Sequence, residues 1–283
     1  MDFFGQEDTM ENAPILPIRA ELAVTDLIPF GYDKERSFFA LTLARPQWAE
    51  WKPGQFIMLR PNSWNCELTW ARPFSICRVT PQSLVLFFQV AGRGTKEIAK
   101  LKPKDTVTVW GPLGTHFAVE NKPTLLLAGG IGIAPFAGYV EQHPVQNQLS
   151  MFFSHRLPEQ YYPVESLTRH IEVETRYEQK QEDLTGTIQT IRQKMEETAK
   201  KNGLVLACGP MPFLKTVWKN ALELNVSAQL SLEQRMACGI GACLGCVSVT
   251  SALYPDKEKA GLPVQTCTKG PVFWAHELNL DAQ

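Results

Sequence analysis

The sequence lacks the basic excess that is typical of nucleic-acid-binding proteins and the apolar leader that is typical of a signal peptide. Its 28 basic and 29 acidic residues give a formal net charge of −1, which argues against a basic surface that binds nucleic acid. The start, Met1 to Glu11, is acidic and has no positive segment followed by an apolar run, so we expect no signal peptide. No Ser/His/Asp or paired-carboxylate arrangement is recognisable, so we assign no catalytic acid, base or nucleophile.

A long uncharged stretch covers residues 123–140, but its pattern is not typical of a membrane-spanning helix. It is interrupted by four glycines and a proline: Gly129, Gly130, Gly132, Gly138 and Pro135. A buried strand followed by a glycine turn explains such a stretch better, so we expect no membrane insertion. With 283 residues, 44% of them hydrophobic, the chain is long enough for two or three globular domains.

Cysteine is scarce, yet four of the seven cysteines form one pattern: Cys238, Cys243, Cys246 and Cys267. The first three have the spacing C-x4-C-x2-C, and the fourth follows after twenty residues. This spacing is typical of plant-type [2Fe–2S] proteins, in which four thiolates bind two irons. A zinc knuckle is the alternative, although zinc ribbons usually pair one C-x2-C with a second one.

Glycines inside this cysteine loop support the same interpretation: Gly239, Gly241 and Gly245. Three sulfurs must converge from one tight loop, so we expect these residues to supply positive φ angles and the absence of side-chain bulk. They also allow backbone N–H groups to approach the sulfurs. Cys66, Cys77 and Cys208 remain as free thiols, and a thiolate cluster implies a reducing compartment, so we predict a cytoplasmic protein.

The hydrophobic pattern divides the chain into four parts. Residues 1–17 form a loose tail, and residues 18–118 contain short strands separated by turn residues, which predicts an antiparallel β-barrel or sandwich. In residues 119–232 strands alternate with helices, which predicts an α/β domain with a parallel sheet. Residues 233–283 form a small cluster domain.

Two motifs in the barrel suggest an anion and ring site. Arg72–Pro73–Phe74–Ser75–Ile76 begins a strand, and an Arg beside a rigid Pro and a small hydroxyl can bind a diphosphate and a ring nitrogen. Gly92–Arg93–Gly94–Thr95 opens a predicted helix, where glycines let the backbone close on phosphate. Either motif alone could be a surface turn; together they favour a nucleotide cofactor.

Two further motifs lie in the α/β domain. Ala128–Gly129–Gly130–Ile131–Gly132–Ile133–Ala134–Pro135–Phe136 follows an apolar strand and suits a pyrophosphate, although Pro135 replaces the last glycine of the usual fingerprint. No convincing acidic partner for a ribose follows the next strand, where Ser154–His155–Arg156 stand. Cys208–Gly209–Pro210 ends a later strand, where ligands sit in open α/β folds.

The order of these motifs, from Arg72–Ile76 to the loop that Cys267 completes, resembles the ferredoxin–NADP reductase superfamily with a C-terminal [2Fe–2S] domain. Within it, the sequence is most similar to the electron-transfer subunits of class 1B dihydroorotate dehydrogenases, over about Arg19 to Leu278. The resemblance implies a flavin-binding barrel, an NAD(P)-binding α/β domain and a cluster domain. Two departures stand out: the insertion Tyr254–Pro263, a predicted surface hairpin, and Thr115–His116 where a smaller pair is common.

The resemblance also implies roles for individual residues. Arg72 would hold the diphosphate of FAD, and Ser75 would lie near the reactive N5 of the flavin. The other implied FAD contacts are Pro73, Phe74, Phe87, Phe88, Gln89, Gly94 and Thr95. The implied NAD(P) contacts are Gly129, Gly130, Gly132, Cys208, Gly209 and Pro210. The implied cluster ligands are Cys238, Cys243, Cys246 and Cys267.

These roles predict an electron relay rather than an acid–base enzyme. A nicotinamide cofactor, NAD or NADP, would exchange a hydride with FAD, and the [2Fe–2S] centre would pass single electrons to or from a partner. The implied partner is a catalytic flavoprotein, an FMN-containing dihydroorotate dehydrogenase of pyrimidine biosynthesis, in a heterotetramer. Three alternatives stay open: a diaphorase subunit of anaerobic sulfite reductase or ferredoxin transhydrogenase type, a stand-alone reductase, and a zinc-binding interaction module without catalysis.

Overall fold

The computed structural model describes residues 18–31, 37–48 and 50–283, so the predicted tail over residues 1–17 lies outside the described residues. The first part of the chain forms a seven-stranded antiparallel sheet in the order β4-β3-β7-β1-β2-β6-β5. Its strands are β1 (Ile18–Phe30), β2 (Phe38–Ala44), β3 (Phe56–Pro61), β4 (Arg72–Ser75), β5 (Arg78–Val79), β6 (Ser83–Gln89) and β7 (Thr106–Leu113). One helix, α1 (Arg93–Ile98), follows β6.

The two edge strands of this sheet, β4 and β5, are joined by Ile76 and Cys77 alone. The Ile76 N–H donates to the Gln55 carbonyl beside β3, and the Cys77 N–H donates to the Val85 carbonyl in β6. Because two extended residues span only about 7 Å, the edges must lie side by side and the sheet curls into a barrel. The predicted barrel is therefore confirmed, and its closing residues directly follow the Arg72–Ser75 motif.

Alternation of apolar residues explains the barrel interior. Leu41 and Leu43 in β2, like Leu84 and Leu86 in β6, are fully buried, and the residues between them are half-buried. Period-two patterning of this kind directs every second side chain to one face of the sheet. Complete burial of one such leucine contributes about 2 kcal/mol. The strand that begins at Arg72 ends at Ser75, and β5 follows as a separate strand, because Ile76 and Cys77 form the barrel closure.

The second sheet has six strands in the order β10-β9-β8-β11-β12-β15. Five of them are parallel: β8 (Thr124–Gly129), β9 (Leu149–His155), β10 (Glu172–Tyr177), β11 (Leu204–Cys208) and β12 (Ser227–Ser231). The helices are α2 (Ala134–Gln142), α3 (Val164–Thr168), α4 (Gln181–Lys200) and α5 (Met211–Glu223). The central strand β8 is buried throughout, as a strand covered on both faces requires.

The uncharged stretch at 123–140 forms β8, a glycine turn and α2, as predicted. Among the described residues, no helix combines the length and apolarity needed to cross a membrane.

The sixth strand comes from the predicted cluster domain. This domain contains β13 (Val247–Val249), β14 (Pro263–Gln265), α6 (Thr266–Lys269) and β15 (Val272–Trp274). Strand β15 pairs antiparallel with β12, Leu230 opposite Phe273, and the indole N–H of Trp218 in α5 donates to the Ala275 carbonyl. The segment Tyr254–Pro263 covers most of the connection between the paired strands β13 and β14 and ends at the first residue of β14. The predicted boundary at residue 232 thus falls inside a shared sheet and stays a prediction.

The barrel and the α/β domain share one continuous core. Phe117 stacks on Phe136 of α2, with ring centroids 5.4 Å apart, and Phe38 and Phe87 of the barrel join the same core. A Cβ added to Gly138 would lie 2.8 Å from the Cys77 carbonyl oxygen, so α2 lies directly on the barrel closure. The Arg78 guanidinium and the Glu141 carboxylate, 2.9 Å apart, add an ion pair across this contact.

Candidate functional site

The cysteine loop lies against the barrel. Cys246 and Cys267 are both 1% exposed and pack with Met58 of β3 and Leu113 of β7. The indole N–H of Trp110, also in β7, donates to the Cys238 carbonyl at 3.1 Å. Two of the four predicted ligands are therefore part of the apolar contact with the barrel, whereas Cys243 is exposed.

The four sulfurs are arranged as two pairs. The Sγ atoms of Cys238 and Cys243 are 3.4 Å apart. Cys267 lies beside Cys246, and burial together with this neighbour raises the pKa of the Cys267 thiol to about 12. Among the described residues, no three His, Cys, Asp or Glu side chains surround a single point. Two sulfur pairs provide two ligands for each iron of a two-iron cluster.

Backbone N–H groups point at the sulfurs, as the loop was predicted to allow. The Gly241 N–H donates to the Sγ of Cys267 at 3.2 Å, and the Cys243 N–H donates to the Sγ of Cys238 at 3.4 Å. Burial raises the pKa of Cys238, but the N–H groups of Ile240 and Cys243 outweigh it and bring that pKa to about 7. These N–H groups thus favour the negatively charged thiolate form of Cys238, the form that binds iron.

The backbone angles correct one of the glycine predictions. Gly239 and Gly241 have φ angles of 73° and 84°, in the left-handed region that favours glycine, as predicted. Gly245 does not; the third residue with positive φ is Leu244, at 55°. The prediction that Gly245 supplies positive φ is therefore wrong, because the loop makes this turn one residue earlier.

The predicted flavin residues fall into two groups. Arg72 lies above the Trp64 ring at 5.3 Å and beside Gly94, whose added Cβ would lie 2.5 Å from the Arg72 Nε. Burial and the nearby Arg93 guanidinium lower the pKa of Arg72. Within the described residues, neither arginine forms an ion pair with a carboxylate. Two close, unpaired guanidinium groups fit the diphosphate of FAD.

Three predicted flavin contacts are aromatic side chains used in packing. Phe74 meets Phe88 edge to face at 5.6 Å, and Phe87 stacks on Phe38 at 5.8 Å. All three rings are at least 90% buried in the barrel and the interdomain core. Pro73 and Ser75 occupy the opposite face of β4 and are half-buried, and Gln89 is exposed. The rings of Phe87 and Phe88 are thus used in packing, and their contacts with a flavin stay predictions.

Thr95 is committed to the turn before α1. Its hydroxyl oxygen accepts hydrogen bonds from the N–H groups of Ala91 and Gly92, at 2.9 and 3.1 Å. The same hydroxyl donates to the Gly92 carbonyl. Its role is thus to shape the turn that brings Gly94 against Arg72.

The predicted nicotinamide residues converge from two strand ends. A Cβ added to Gly129 would lie 3.0 Å from Pro210 Cδ, and the Cα of Gly129 lies within 3.1 Å of the Cβ position of Gly209. Gly132 approaches the Cys208 carbonyl so closely that no side chain fits there. Gly130, with φ of 53°, faces open space. Two adjacent glycine turns at the carboxyl ends of parallel strands form a cradle that fits a dinucleotide.

Comparison with known proteins matches both ligand-binding regions. Residues 233–279 match the iron–sulfur cluster binding domain of dihydroorotate dehydrogenase B, and residues 126–219 match an oxidoreductase NAD-binding domain. The electron transfer subunit of dihydroorotate dehydrogenase B (NAD(+)) from Caldanaerobacter subterraneus is 33% identical over 237 residues, which cover 81% of this chain and 90% of the relative. The corresponding subunit from Listeria monocytogenes is 32% identical over 239 residues, covering 81% and 87%.

The chain belongs to the family of dihydroorotate dehydrogenase B electron transfer subunits. Solved structures agree on the fold. An NADH-dependent reduced ferredoxin-NADP oxidoreductase superposes with a TM-score of 0.74 at 21% identity, covering 96% of this chain and 92% of the other. Ferredoxin-NADP⁺ reductase from Plasmodium falciparum gives 0.61 at 13% identity, covering 75% and 96%.

Family membership confirms several predictions made from the sequence. The chain is an NAD-linked oxidoreductase subunit with the ferredoxin–NADP reductase-like fold, and its cofactors are FAD, a [2Fe–2S] cluster and NAD. The iron–sulfur interpretation of the cysteine spacing replaces the zinc alternative. The roles of the individual residues stay predictions that the geometry above fits.

No local sequence pattern marks two residues that hold the cluster domain in place. Met58 contacts Gly239, and Trp110 binds the Cys238 carbonyl although the two residues are 128 positions apart. Both are ordinary apolar strand residues in the pattern of the barrel. Only the folded chain brings them to the cluster loop.

Thiol reactivity provides a test of the site away from the cluster. Desolvation raises the pKa values of the buried Cys77 and the half-buried Cys208 to about 12, so we expect both thiols to stay protonated at pH 8, whereas Cys66 is exposed. With iodoacetamide at pH 8 we expect rapid labelling of Cys66 and at least about tenfold slower labelling of Cys77 and Cys208, measured by peptide mass spectrometry. Equal labelling of Cys208 and Cys66 would show that the nicotinamide cradle is open to solvent.

Proposed function

We propose that this chain conducts electrons along a fixed line that joins the nicotinamide cradle, FAD, the cluster and a partner protein. One observation carries the proposal: Met58 of β3 lies between the predicted flavin motif and the cluster loop. It pairs with Pro73 of β4, in the predicted flavin motif, and it contacts Gly239 in the cluster loop. A single strand therefore separates the two sites, so electrons need no domain movement between them.

The residues of the chain bind and orient rather than react. Arg72 holds the diphosphate, Pro73 and Ser75 line the ring, and the turns at Gly129–Gly132 and Cys208–Pro210 hold the dinucleotide. FAD, when bound, supplies the exchange between hydride and single electrons. The buried faces of Cys246 and Cys267 keep water from the side of the cluster that faces the barrel.

The partner in this proposal is the FMN-containing catalytic subunit that oxidises dihydroorotate. Electrons then flow from the partner through cluster and FAD to NAD⁺. We propose a heterotetramer with two copies of each subunit, located in the cytoplasm, where cluster thiolates persist. Native mass spectrometry of the complex purified after co-expression tests the stoichiometry; a complex with one copy of each chain would contradict it.

The surface toward the partner consists of exposed apolar side chains around Cys243. We define the exit surface as Ile240, Leu244 and Val247, which are 59%, 62% and 41% exposed. Large apolar side chains at this exposure, beside the exposed Cys243, suit the buried centre of a protein interface.

Charged substitutions in the exit surface test this assignment. In the double variant Ile240→Glu and Leu244→Glu, we expect affinity for the catalytic subunit to fall at least about tenfold, because buried unpaired carboxylates oppose docking. Iron content and NADH oxidation with ferricyanide stay unchanged. Binding is measured by surface plasmon resonance with the native holoprotein.

Leu262→Glu is the matched control, because Leu262 is 52% exposed but lies in the β13–β14 connection rather than the cysteine loop. It should bind the partner like the wild type. Wild-type affinity of the double variant would reject the exit surface. Failure of the reconstituted complex to reduce NAD⁺ with dihydroorotate would instead favour the diaphorase alternative.

A further inference from the structure

The segment that follows Cys267 is bound to the linker between the barrel and the nucleotide domain. Thr115 lies in this linker, shortly after β7 ends at Leu113. Its N–H donates to the Gly270 carbonyl at 2.7 Å, and its hydroxyl donates to the Val272 carbonyl, also at 2.7 Å. The Val272 N–H in turn donates to the same hydroxyl oxygen at 3.0 Å. The backbone and the side chain of one linker residue thus bind both ends of the segment 270–272.

The Thr115 hydroxyl acts in place of a neighbouring strand at the outer edge of the nucleotide sheet. Val272 begins β15, the edge strand, and the preceding Pro271 carbonyl accepts the N–H of Leu232, which directly follows β12. Because neighbouring residues of an antiparallel strand direct their polar groups to opposite sides, those of Val272 point away from β12. Val272 is 5% exposed, so both groups need a protein partner, and a hydroxyl is a donor and an acceptor at once. Removing the hydroxyl leaves both groups without a partner among the described residues.

The bound segment leads directly to a predicted cluster ligand. Cys267 lies in α6, and Gly270, which follows this helix, donates its N–H to the Thr266 carbonyl at 3.0 Å. The Sγ of Cys267 accepts the hydrogen bond from the Gly241 N–H described above. Since α6 is a single helical turn, a displacement of Gly270 also displaces Cys267 and changes this hydrogen bond. The position of the sulfur therefore depends on the hydrogen bonds that Thr115 makes.

We propose that Thr115 is a positioning residue for the cluster, which holds the Sγ of Cys267 in place against the flavin barrel through the segment 270–272. Leu113, two residues before Thr115, packs in the same apolar cluster as Cys267. The apolar contact and the hydrogen bonds thus fix the ligand from one short stretch of chain at the end of β7. The barrel also carries the predicted flavin residues, so the same contacts keep the cluster ligand at a constant distance from them. The inference rests on iron ligation by Cys267.

A purely structural role predicts something different. If Thr115 only stabilised the fold, loss of its hydroxyl would lower the melting temperature and leave the bound cluster unchanged well below that temperature. A positioning role instead changes the spectrum of the cluster and the rate at which iron leaves it. The two roles are thus separated by measurements on the folded, loaded chain.

The test uses Thr115→Val in the FAD- and cluster-loaded full chain, since valine is branched at Cβ like threonine but has no hydroxyl. We expect hydrogen–deuterium exchange at the Val272 N–H to become at least about tenfold faster, because its acceptor is lost. Iron release to a chelator should accelerate about tenfold, the lower end of the range typical of outer-shell substitutions. The g values in the electron paramagnetic resonance spectrum of the reduced cluster should change.

Further variants separate the hydroxyl from the space that it occupies. Thr115→Ser keeps the hydroxyl and should restore the wild-type exchange, iron release and spectrum. Thr115→Ala has no γ-methyl groups to collide with the segment and should behave like Thr115→Val. Thr124→Val is the matched control, because the Thr124 hydroxyl likewise donates to a backbone carbonyl, that of Lys122, at the far end of the linker. It should leave iron release and the spectrum unchanged.

Four results would overturn the proposal. They are iron release from Thr115→Val within about twofold of the wild-type rate, an unchanged spectrum, the same acceleration in Thr124→Val, and failure of Thr115→Ser to restore the wild-type values. A different result would show that the premise is wrong: wild-type iron content and spectrum in Cys267→Ser would reject ligation by Cys267, and the inference with it.

Discussion

Replacing Cys243 by serine is expected to remove the [2Fe–2S] cluster and leave FAD in place. The Sγ of Cys243 is exposed and lies 3.4 Å from that of Cys238, so the substitution takes one ligand from the outer sulfur pair. Loss of a metal-bound sulfur should cost more than the 10- to 100-fold typical of outer-shell substitutions, so partner-coupled activity should fall more than about a hundredfold. Iron analysis and the visible thiolate-to-iron absorption measure the loss.

Cys243 is the appropriate ligand for this experiment because of where the other cysteines lie. Cys246 and Cys267 pack against Met58 and Leu113, so a serine there would disturb the barrel as well as the cluster. Cys66→Ser is the matched control: it removes another exposed cysteine and should keep both iron and flavin. If Cys243→Ser released FAD together with iron, the two sites could not be the separate ones described above.

Replacing Arg72 by alanine is expected to produce the opposite pattern, with FAD lost and iron retained. The guanidinium has no carboxylate partner among the described residues and is held beside Gly94 by its contact with Trp64. Loss of two charge-assisted hydrogen bonds, at about 1.5 kcal/mol each, weakens FAD binding by about a hundredfold. Flavin fluorescence after gel filtration and iron analysis give the two stoichiometries.

A second pair of variants shows whether the geometry or the charge of Arg72 is responsible for FAD binding. Arg72→Lys keeps the charge but not the planar fork, so it should recover only part of the flavin affinity. Arg45→Ala removes an arginine that binds the Thr80 carbonyl elsewhere on the barrel and should have no effect. Full flavin occupancy in Arg72→Ala would reject Arg72 as the diphosphate ligand.

The parts of the fold that the sequence predicts are those in which one local pattern decides the outcome. The apolar run at 124–128 and the glycines after it produce β8 and its turn, and the C-x4-C-x2-C spacing identifies the cluster loop. The ion pair between Arg156, after β9, and Glu178, after β10, is not predicted by any local pattern. Sequence spacing cannot show it, because the contact with Arg156 depends on the register between two strands.

Two further features depend on the complete fold. Nothing local distinguishes Leu244 from Gly245 as the residue with positive φ, because the closure of the loop on both sulfur pairs determines it. Strand β15 is three residues long and is not recognisable as part of a sheet that begins 148 residues earlier, at Thr124. It forms because β12 presents an open edge beside the segment that follows Cys267.

The pairing of β15 with β12 has a consequence for the solubility of the apo chain. Without β15 the sheet would end at β12, whose five residues are buried except for Ser227. An open edge of unpaired N–H and C=O groups is a template for strand addition from another molecule. The segment after Cys267 therefore has a second role. By pairing with β12 it covers the open edge of the nucleotide sheet and protects that edge from aggregation.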